Sequence, residues 1–223
     1  FDHQKNVHLC HQSALDLSMN DDDKVIVMGI GTDDHKGIFG TTLGLVEKYG
    51  PKRVFDTPIS ENAMTGVAIG AALAGLKPIH CHIRMDFLYL ALDQLLNLAA
   101  KWHYMYGGKG NIPLVIRAVV GRSWGQGAQH SQNLQSFFMH VPGIKVISPT
   151  TPYEAKGLLL SAIRDPNPVL FIEHRLLYSQ EEEVPEQVYF LDLGKSIVRR
   201  QGKDFTIIAN SFMALEAMKA ASV

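Results

Sequence analysis

Short apolar runs that alternate with longer helix-period segments predict an α/β fold, a mainly parallel sheet flanked by helices on both sides. Two of the runs, 112–116 and 169–172, are apolar throughout, the pattern of strands covered on both faces. Gly- and polar-rich loops follow the runs where a parallel sheet would place its crossovers. In chain order, a helix over 5–19 leads into a strand over 25–28. A helix over 41–49 and a strand over 53–55 come next. The small-residue helix over 61–76 precedes a strand at 78–83, and a helix over 87–104 precedes one at 113–118. Strands at 145–148 and 169–172 flank a helix over 152–163. The pattern dissolves at 181–187, where Glu181, Glu182 and Glu183 read as a solvated loop ahead of Pro185. A second α/β unit then begins, with a strand over 205–209 and an unfinished helix over 214–221.

The 223 residues suffice to bury a sizeable core, and 46% apolar with 19% charged residues lies near the globular average. That balance excludes disordered, collagen-like and coiled-coil classes. A formal charge of −1 without blocks of like charge argues against nucleic-acid and membrane-surface roles. No apolar run approaches the roughly 18 residues of a spanning helix. Cys10 and Cys81 cannot form a disulfide framework, so a reducing compartment, the cytoplasm, is expected. The beginning at Phe1 and the uncapped helix at the end read as part of a longer protein.

Ligands of open α/β sheets bind beyond the carboxyl ends of the strands. Four loops leave such ends here: 29–39, 56–61, 84–87 and 119–130. Gly29-Ile30-Gly31 lacks both the third glycine of a dinucleotide fingerprint and the spacing of a P-loop, and reads as a tight turn. Gly121-Arg122-Ser123-Trp124-Gly125 fits the nucleophile elbow of hydrolases, but Gln126-Gly127-Ala128-Gln129 offers no helix to follow it. His80 and His82 share a strand face, as half a metal site or, more simply, as packed histidines. His8 and His11 share a helix face with a solvated or interface role. Ser60 reads as the N-cap of the helix that starts at Glu61. Glu61 then either complements the helix dipole or, partly desolvated at an interface, serves as a proton relay. His130, on a loop hinged by Gly125 and Gly127, is either a surface residue or an imidazole poised for proton transfer.

At two of these segments the chain resembles a known family. Asp56-Thr57-Pro58-Ile59-Ser60-Glu61 and Ala128-Gln129-His130-Ser131-Gln132 are similar to signatures of the beta subunit of thiamine-diphosphate-dependent 2-oxo acid dehydrogenases, the first component of the pyruvate dehydrogenase type. The likeness continues through 48–53, 91–94, 142–149 and 161–165, and covers about residues 5–215. It implies a thiamine-diphosphate pyrimidine-binding domain over 1–180, a linker over 181–203, and the opening of the C-terminal α/β domain over 204–223. It implies that Glu61 hydrogen-bonds the aminopyrimidine nitrogen of thiamine diphosphate and favours the imino tautomer that deprotonates the thiazolium carbon. Phe87 would pack on the pyrimidine, with Ile59 also at the cofactor, and His130 would stand near the substrate and the acyl-transfer step. Leu114, Ala162, Ile163, Asp165 and Asn167 match a structural K⁺ site made mostly of carbonyls, Asp165 bringing the one formal charge.

The family's Mg²⁺-diphosphate motif, Gly-Asp-Gly with a distant Asn, belongs to the alpha subunit and does not occur in this sequence. The resemblance therefore implies an α₂β₂ heterotetramer, with helices 61–75 and 87–104 as interface candidates and a lipoyl acyltransferase core as a further partner. Two stretches depart from the family: Ile30-Gly31, where an acidic pair is usual, and His80–Met85, usually more acidic and aromatic. Arg84, in the second, is expected to meet a substrate carboxylate or phosphate, or else to form a surface salt bridge. A split transketolase-like ketol transferase and a non-catalytic assembly subunit are the alternatives.

Overall fold

The computed structural model describes residues 3–122 and 125–222. Its core is a six-stranded sheet, parallel throughout. The strands are β2 (Val25–Gly29), β3 (Val54–Phe55), β4 (Lys77–His82), β5 (Val115–Val120), β6 (Lys145–Ile147) and β7 (Val169–His174), in the order β3-β2-β4-β5-β7-β6. Helices α1 (Val7–Asp21) and α7 (Pro152–Arg164) pack together on one face. On the other lie α4 (Glu61–Leu73) and a continuous helical stretch. That stretch runs as 3₁₀ over Met85–Ala91, as π over Gln94–Ala99 and as α5 (Ala100–Met105). Between β2 and β3 come the kinked turn α2 (Gly37–Gly40) and α3 (Leu45–Tyr49); α6 (Gln135–Met139) precedes β6 and α8 (Ser211–Ala220) closes the described chain.

Side chains alternate across the sheet, so β5 alone feeds two cores: Val115 joins Val27, Ile79 and Phe171 under α1 and α7, while Ile116 and Ala118 join Met28, Leu170 and Ile172 under α4. The helix starts follow capping chemistry. The Asn6 side chain accepts from the Leu9 N–H, and Thr151 and Glu154 form a reciprocal capping box with Pro152 at the first helical position. Ser60 does occupy the N-cap of α4, but its hydroxyl makes no capping hydrogen bond.

Three sequence expectations are corrected. First, Glu181–Val184 is not a loop but β8, paired antiparallel with β1 (His3–Asn6), which takes the place of the first residues expected in the helix. Lys5 stands opposite Glu182 there, and Val184 is buried beside Val7 and Cys10, so one apolar anchor and a cross-strand charge pair stabilise an otherwise acidic strand. Second, residues 205–209 form no strand. A strand exists only through a partner's hydrogen bonds, and none pairs with this run among the described residues, where Phe205 and Ile208 stay exposed. Third, the helix expected over 41–49 is confined to Leu45–Tyr49, because Gly44 at its start is left-handed.

The tight turn expected at Gly29 is present, and it requires glycine. Its φ is +141°, and a Cβ there would stand 2.3 Å from the Cys81 carbonyl oxygen on β4. Gly29→Ala combines backbone strain with a clash against rigid backbone, and is expected to lower the unfolding free energy by about 3 kcal/mol or more. An unchanged urea midpoint would refute this close approach.

Candidate active site

Because β2 feeds β3 on one side and β4 on the other, the sheet's topological switch lies between β2 and β4, where α/β folds open a binding crevice. The loops beyond β3, β4 and β5 carry Glu61, Phe87 and His130 to that same edge. Glu61 heads α4, which packs on β4 and on the 85–99 stretch. Its carboxylate is half-buried and makes no hydrogen bond or ion pair among the described residues. Phe87, half-buried in the 3₁₀ segment after β4, meets the His130 ring edge-on, with centroids 5.2 Å apart at 73°. His130 ends a single 3₁₀ turn, Ala128–His130, entered through Gly125 and Gly127 at φ near +70°. Neither of its ring nitrogens has a hydrogen-bond partner among the described residues. Ile59, two residues before Glu61 on the loop that leaves β3, is 81% exposed. An unpartnered carboxylate, an aromatic face and an imidazole with free nitrogens suit an aromatic, proton-exchanging ligand.

The loops beneath are knitted by backbone contacts. Asp56 accepts from the Gly31 and Thr57 N–H groups at 2.8 Å, and the Thr32 hydroxyl donates to the Phe55 carbonyl at 2.6 Å. Neither contact carries a sequence signal beyond the polar loop. Arg84 is not available to a substrate, contrary to one expectation, nor is its ion pair at the surface. It is 4% exposed, and its three guanidinium nitrogens donate to Asp86, Gln126 and the Gly121 carbonyl.

His80 and His82 are hydrogen-bonded to each other, Nδ1 to Nε2 at 3.2 Å, and both are buried. Burial pushes His80 down to about 4 and His82 well below the usual imidazole range, so the pair is neutral. No group of three or more His, Cys, Asp or Glu able to hold a metal occurs among the described residues. His11 is neither solvated nor at an interface: it is wholly buried under α1 against Phe171 and Tyr178. His8 is half-buried beside the Tyr178 carbonyl. Ser123, the elbow candidate, lies outside the described residues; the single 3₁₀ turn at 128–130 is not the helix an elbow needs.

The expected K⁺ residues do gather in one place, at the opposite, amino-terminal edge of the sheet. Leu114 immediately precedes β5, Ala162 and Ile163 lie in the last turn of α7, and Asp165 and Asn167 form the turn into β7. The Asp165 carboxylate, however, is engaged by the Lys145 ammonium and by the Asn167 N–H. The charge expected for the ion is thus neutralised by Lys145. What fits a monovalent cation is the set of carbonyls at the negative end of α7. Leu114 O already accepts from Val169 N–H and Ala162 O from Asp165 N–H, each with a lone pair to spare.

The fold and the loop-borne residues define a class: parallel α/β domains that carry polar and aromatic loop residues along the carboxyl edge of their sheet. The family described as the transketolase pyrimidine-binding domain matches residues 4–180. The beta subunit of acetoin:2,6-dichlorophenolindophenol oxidoreductase of Cupriavidus necator is 44% identical over 97% of this chain and 67% of its own length. Subunit beta-1 of the mitochondrial pyruvate dehydrogenase E1 component of Arabidopsis thaliana is 46% identical over 94% and 59%, and the corresponding beta subunit of Chaetosphaeridium globosum is 48% identical over 95% and 65%. A solved split-gene transketolase, an inactive β4 tetramer, superposes with a TM-score of 0.75 at 21% identity, covering 98% of this chain and 67% of that one, a likeness of fold. The chain belongs to the transketolase pyrimidine-binding family and, within it, to the beta subunits of the first component of 2-oxo acid dehydrogenases. It spans about three-fifths to two-thirds of the length of these relatives.

Proposed function

We propose that the protein of which this chain is part is the beta subunit of a thiamine-diphosphate-dependent 2-oxo acid dehydrogenase, which decarboxylates a 2-oxo acid and passes the acyl group to a lipoyl carrier. The observation that carries this reading is the unpartnered Glu61 carboxylate at the same sheet edge as the Phe87–His130 pair, in a chain similar to such subunits along nearly its whole length. Thiamine diphosphate, when bound, supplies the carbon nucleophile and the electron sink. Glu61 holds a proton at the pyrimidine ring nitrogen, and with no competing partner its carboxylate is free to share it. Phe87 offers its ring to the pyrimidine, and Ile59 excludes water at the mouth. His130 exchanges a proton with the substrate side, steadied by the edge of Phe87.

A partner must complete such a site. Diphosphate and Mg²⁺ fall to an alpha subunit, in an α₂β₂ assembly that a lipoyl acyltransferase core would receive. The outer face of α4, with Ala63, Val67 and Leu73 exposed, supports α4 as one contact surface. A K⁺ ion held by the carbonyls of Leu114, Ala162, Ile163, Asp165 and Asn167 would brace the far edge of the sheet. The division into a pyrimidine-binding domain over 1–180, a linker over 181–203 and the opening of a C-terminal domain over 204–223 belongs to the same reading. So does a reducing compartment, in keeping with two buried, unpaired cysteines. We place it in the cytoplasm, although the Arabidopsis relative is named as mitochondrial.

Affinity purification of the full-length chain from native lysate, followed by mass spectrometry and 2-oxo acid assays, tests this. The expected result is a stoichiometric partner carrying Gly-Asp-Gly with a downstream Asn, and decarboxylation that depends on added thiamine diphosphate. A homo-oligomer without such a partner would leave the diphosphate unanchored and favour a non-catalytic role. Transfer of two-carbon units between sugar phosphates, with indifference to lipoamide, would favour a ketol transferase.

A further inference from the structure

We propose that the buried Arg84–Asp86 pair is a clamp that holds the His130 loop in register with Phe87, making Arg84 and Asp86 positioning residues for His130. Both side chains are almost wholly buried, 4% and 1% exposed, where the chain leaves β4 and enters the 3₁₀ segment that bears Phe87. Arg84 Nε donates to Asp86 Oδ2 at 3.2 Å, and this orients the rest of the guanidinium toward the neighbouring loop. Nη2 donates to the Gly121 carbonyl at 2.6 Å, and Nη1 to Gln126 Oε1 at 2.9 Å. The other Asp86 oxygen accepts from the Gln132 N–H at 2.9 Å. One ion pair on the β4 loop thus grips the β5 loop at 121, 126 and 132, on both sides of the turn that ends in His130.

The need for such a clamp follows from the loop itself. Residues 125–129 are exposed, two of the five are glycines at positive φ, and among the described residues the His130 side chain makes only the ring contact to Phe87. Without outside anchors its backbone would sample many conformations. A planar guanidinium spreads its donors over three nitrogens in a fixed fork and so reaches two loop sites and its own carboxylate from separate positions, whereas the three donors of an ammonium radiate from a single nitrogen. The inference rests on the catalytic reading of His130 for its kinetic consequence, but not for its structural one.

The test uses the full-length chain with its alpha partner, and Arg84→Met, Arg84→Lys and Gln126→Ala variants. Hydrogen exchange of the 125–134 peptides is expected to speed up at least tenfold in Arg84→Met, less in Arg84→Lys and Gln126→Ala, with peptides of β4 and β5 unchanged. Turnover should fall roughly tenfold in Arg84→Met, in kcat more than in KM, and Arg84→Lys should recover part of it. In a His130→Ala background, Arg84→Met should cost little more, because the clamp acts through the missing imidazole. Unchanged loop exchange in all three variants would overturn the clamp. Equal kinetic factors with and without His130 would overturn its link to that residue. A silent His130→Ala would remove the catalytic reading of His130 itself, while the exchange data still decide on the clamp.

Discussion

Replacing Glu61 by Gln in the assembled full-length enzyme is expected to reduce turnover by about 10²–10⁴-fold, the usual range for a positioned proton-transfer group. Folding and assembly should be essentially unaffected. Glutamine keeps the size and hydrogen-bonding reach of glutamate but cannot take up or release the proton that the pyrimidine nitrogen would share. Because the Glu61 carboxylate has no internal partner, its neutralisation breaks no ion pair or hydrogen bond among the described residues. The structural cost is limited to the favourable contact of an anion with the start of α4, about 0.3–1 kcal/mol. The variant should therefore melt close to the wild type and still capture the alpha partner. Single-turnover assays with a 2-oxo acid separate the two readings of this residue. A variant that keeps more than about a tenth of wild-type turnover would reduce Glu61 to a helix-dipole residue and remove the best support for the catalytic proposal.

The elements that the periodicity located are those whose side chains face one consistent environment. All six parallel strands were legible, most plainly where burial on both faces leaves a continuous apolar run such as Val169–Ile172. The placement of the candidate residues was legible to the same depth: Glu61, Phe87 and His130 each follow a strand, and a parallel sheet brings its carboxyl ends to one edge whatever the loops contain. What stayed hidden depends on partners far apart in the chain. β1 and β8 pair across nearly 180 residues, and the acidic run of β8 reads as solvated until Val184 is seen buried against α1. Arg84 offers an unassigned charge in sequence; only the fold shows its donors turned inward to Gly121 and Gln126. His11 sits on a polar-looking helix, yet its position faces Phe171 and Glu173 under the sheet.

That last neighbourhood carries the largest expected stability effect. Arg117 on β5 makes two hydrogen bonds to Glu173 on β7, Nε to Oε1 at 2.5 Å and Nη2 to Oε2 at 2.8 Å, with both side chains buried. The Tyr178 hydroxyl donates to the same Oε2 at 2.8 Å, and His11 Nδ1 lies 3.3 Å from it. Burial, the largest single influence, would raise the Glu173 carboxyl, but its neighbours together, the Arg117 guanidinium first among them, hold the group below the ordinary carboxylate range. His11 goes the other way. Burial lowers it to about 4, because Glu173 is already neutralised by Arg117 and offers the imidazole too little attraction to hold a proton. The His11 contact is accordingly one of a neutral ring, not an ion pair.

Arg117→Met leaves the buried carboxylate without its cation and is expected to destabilise the full-length chain by about 3–5 kcal/mol at pH 7.5. Arg117→Met combined with Glu173→Leu should recover much of this, since well-packed apolar groups often match a buried pair. The pH dependence has a definite sign. In the wild type, the unfolded His11 and His80 bind protons below about 6.5 that the folded forms, near 4, do not, so stability falls as pH drops from 6.5 toward 4. In Arg117→Met, Glu173 loses its cation and its folded pKa rises above the unfolded one, so that site is most stable when protonated, at low pH. The deficit of Arg117→Met relative to the wild type should therefore shrink between pH 7.5 and pH 5. Urea unfolding of both proteins at the two pH values measures it. A deficit that is constant or grows on acidification would mean that Arg117 acts there by filling space, and that the charge of Glu173 needs no partner.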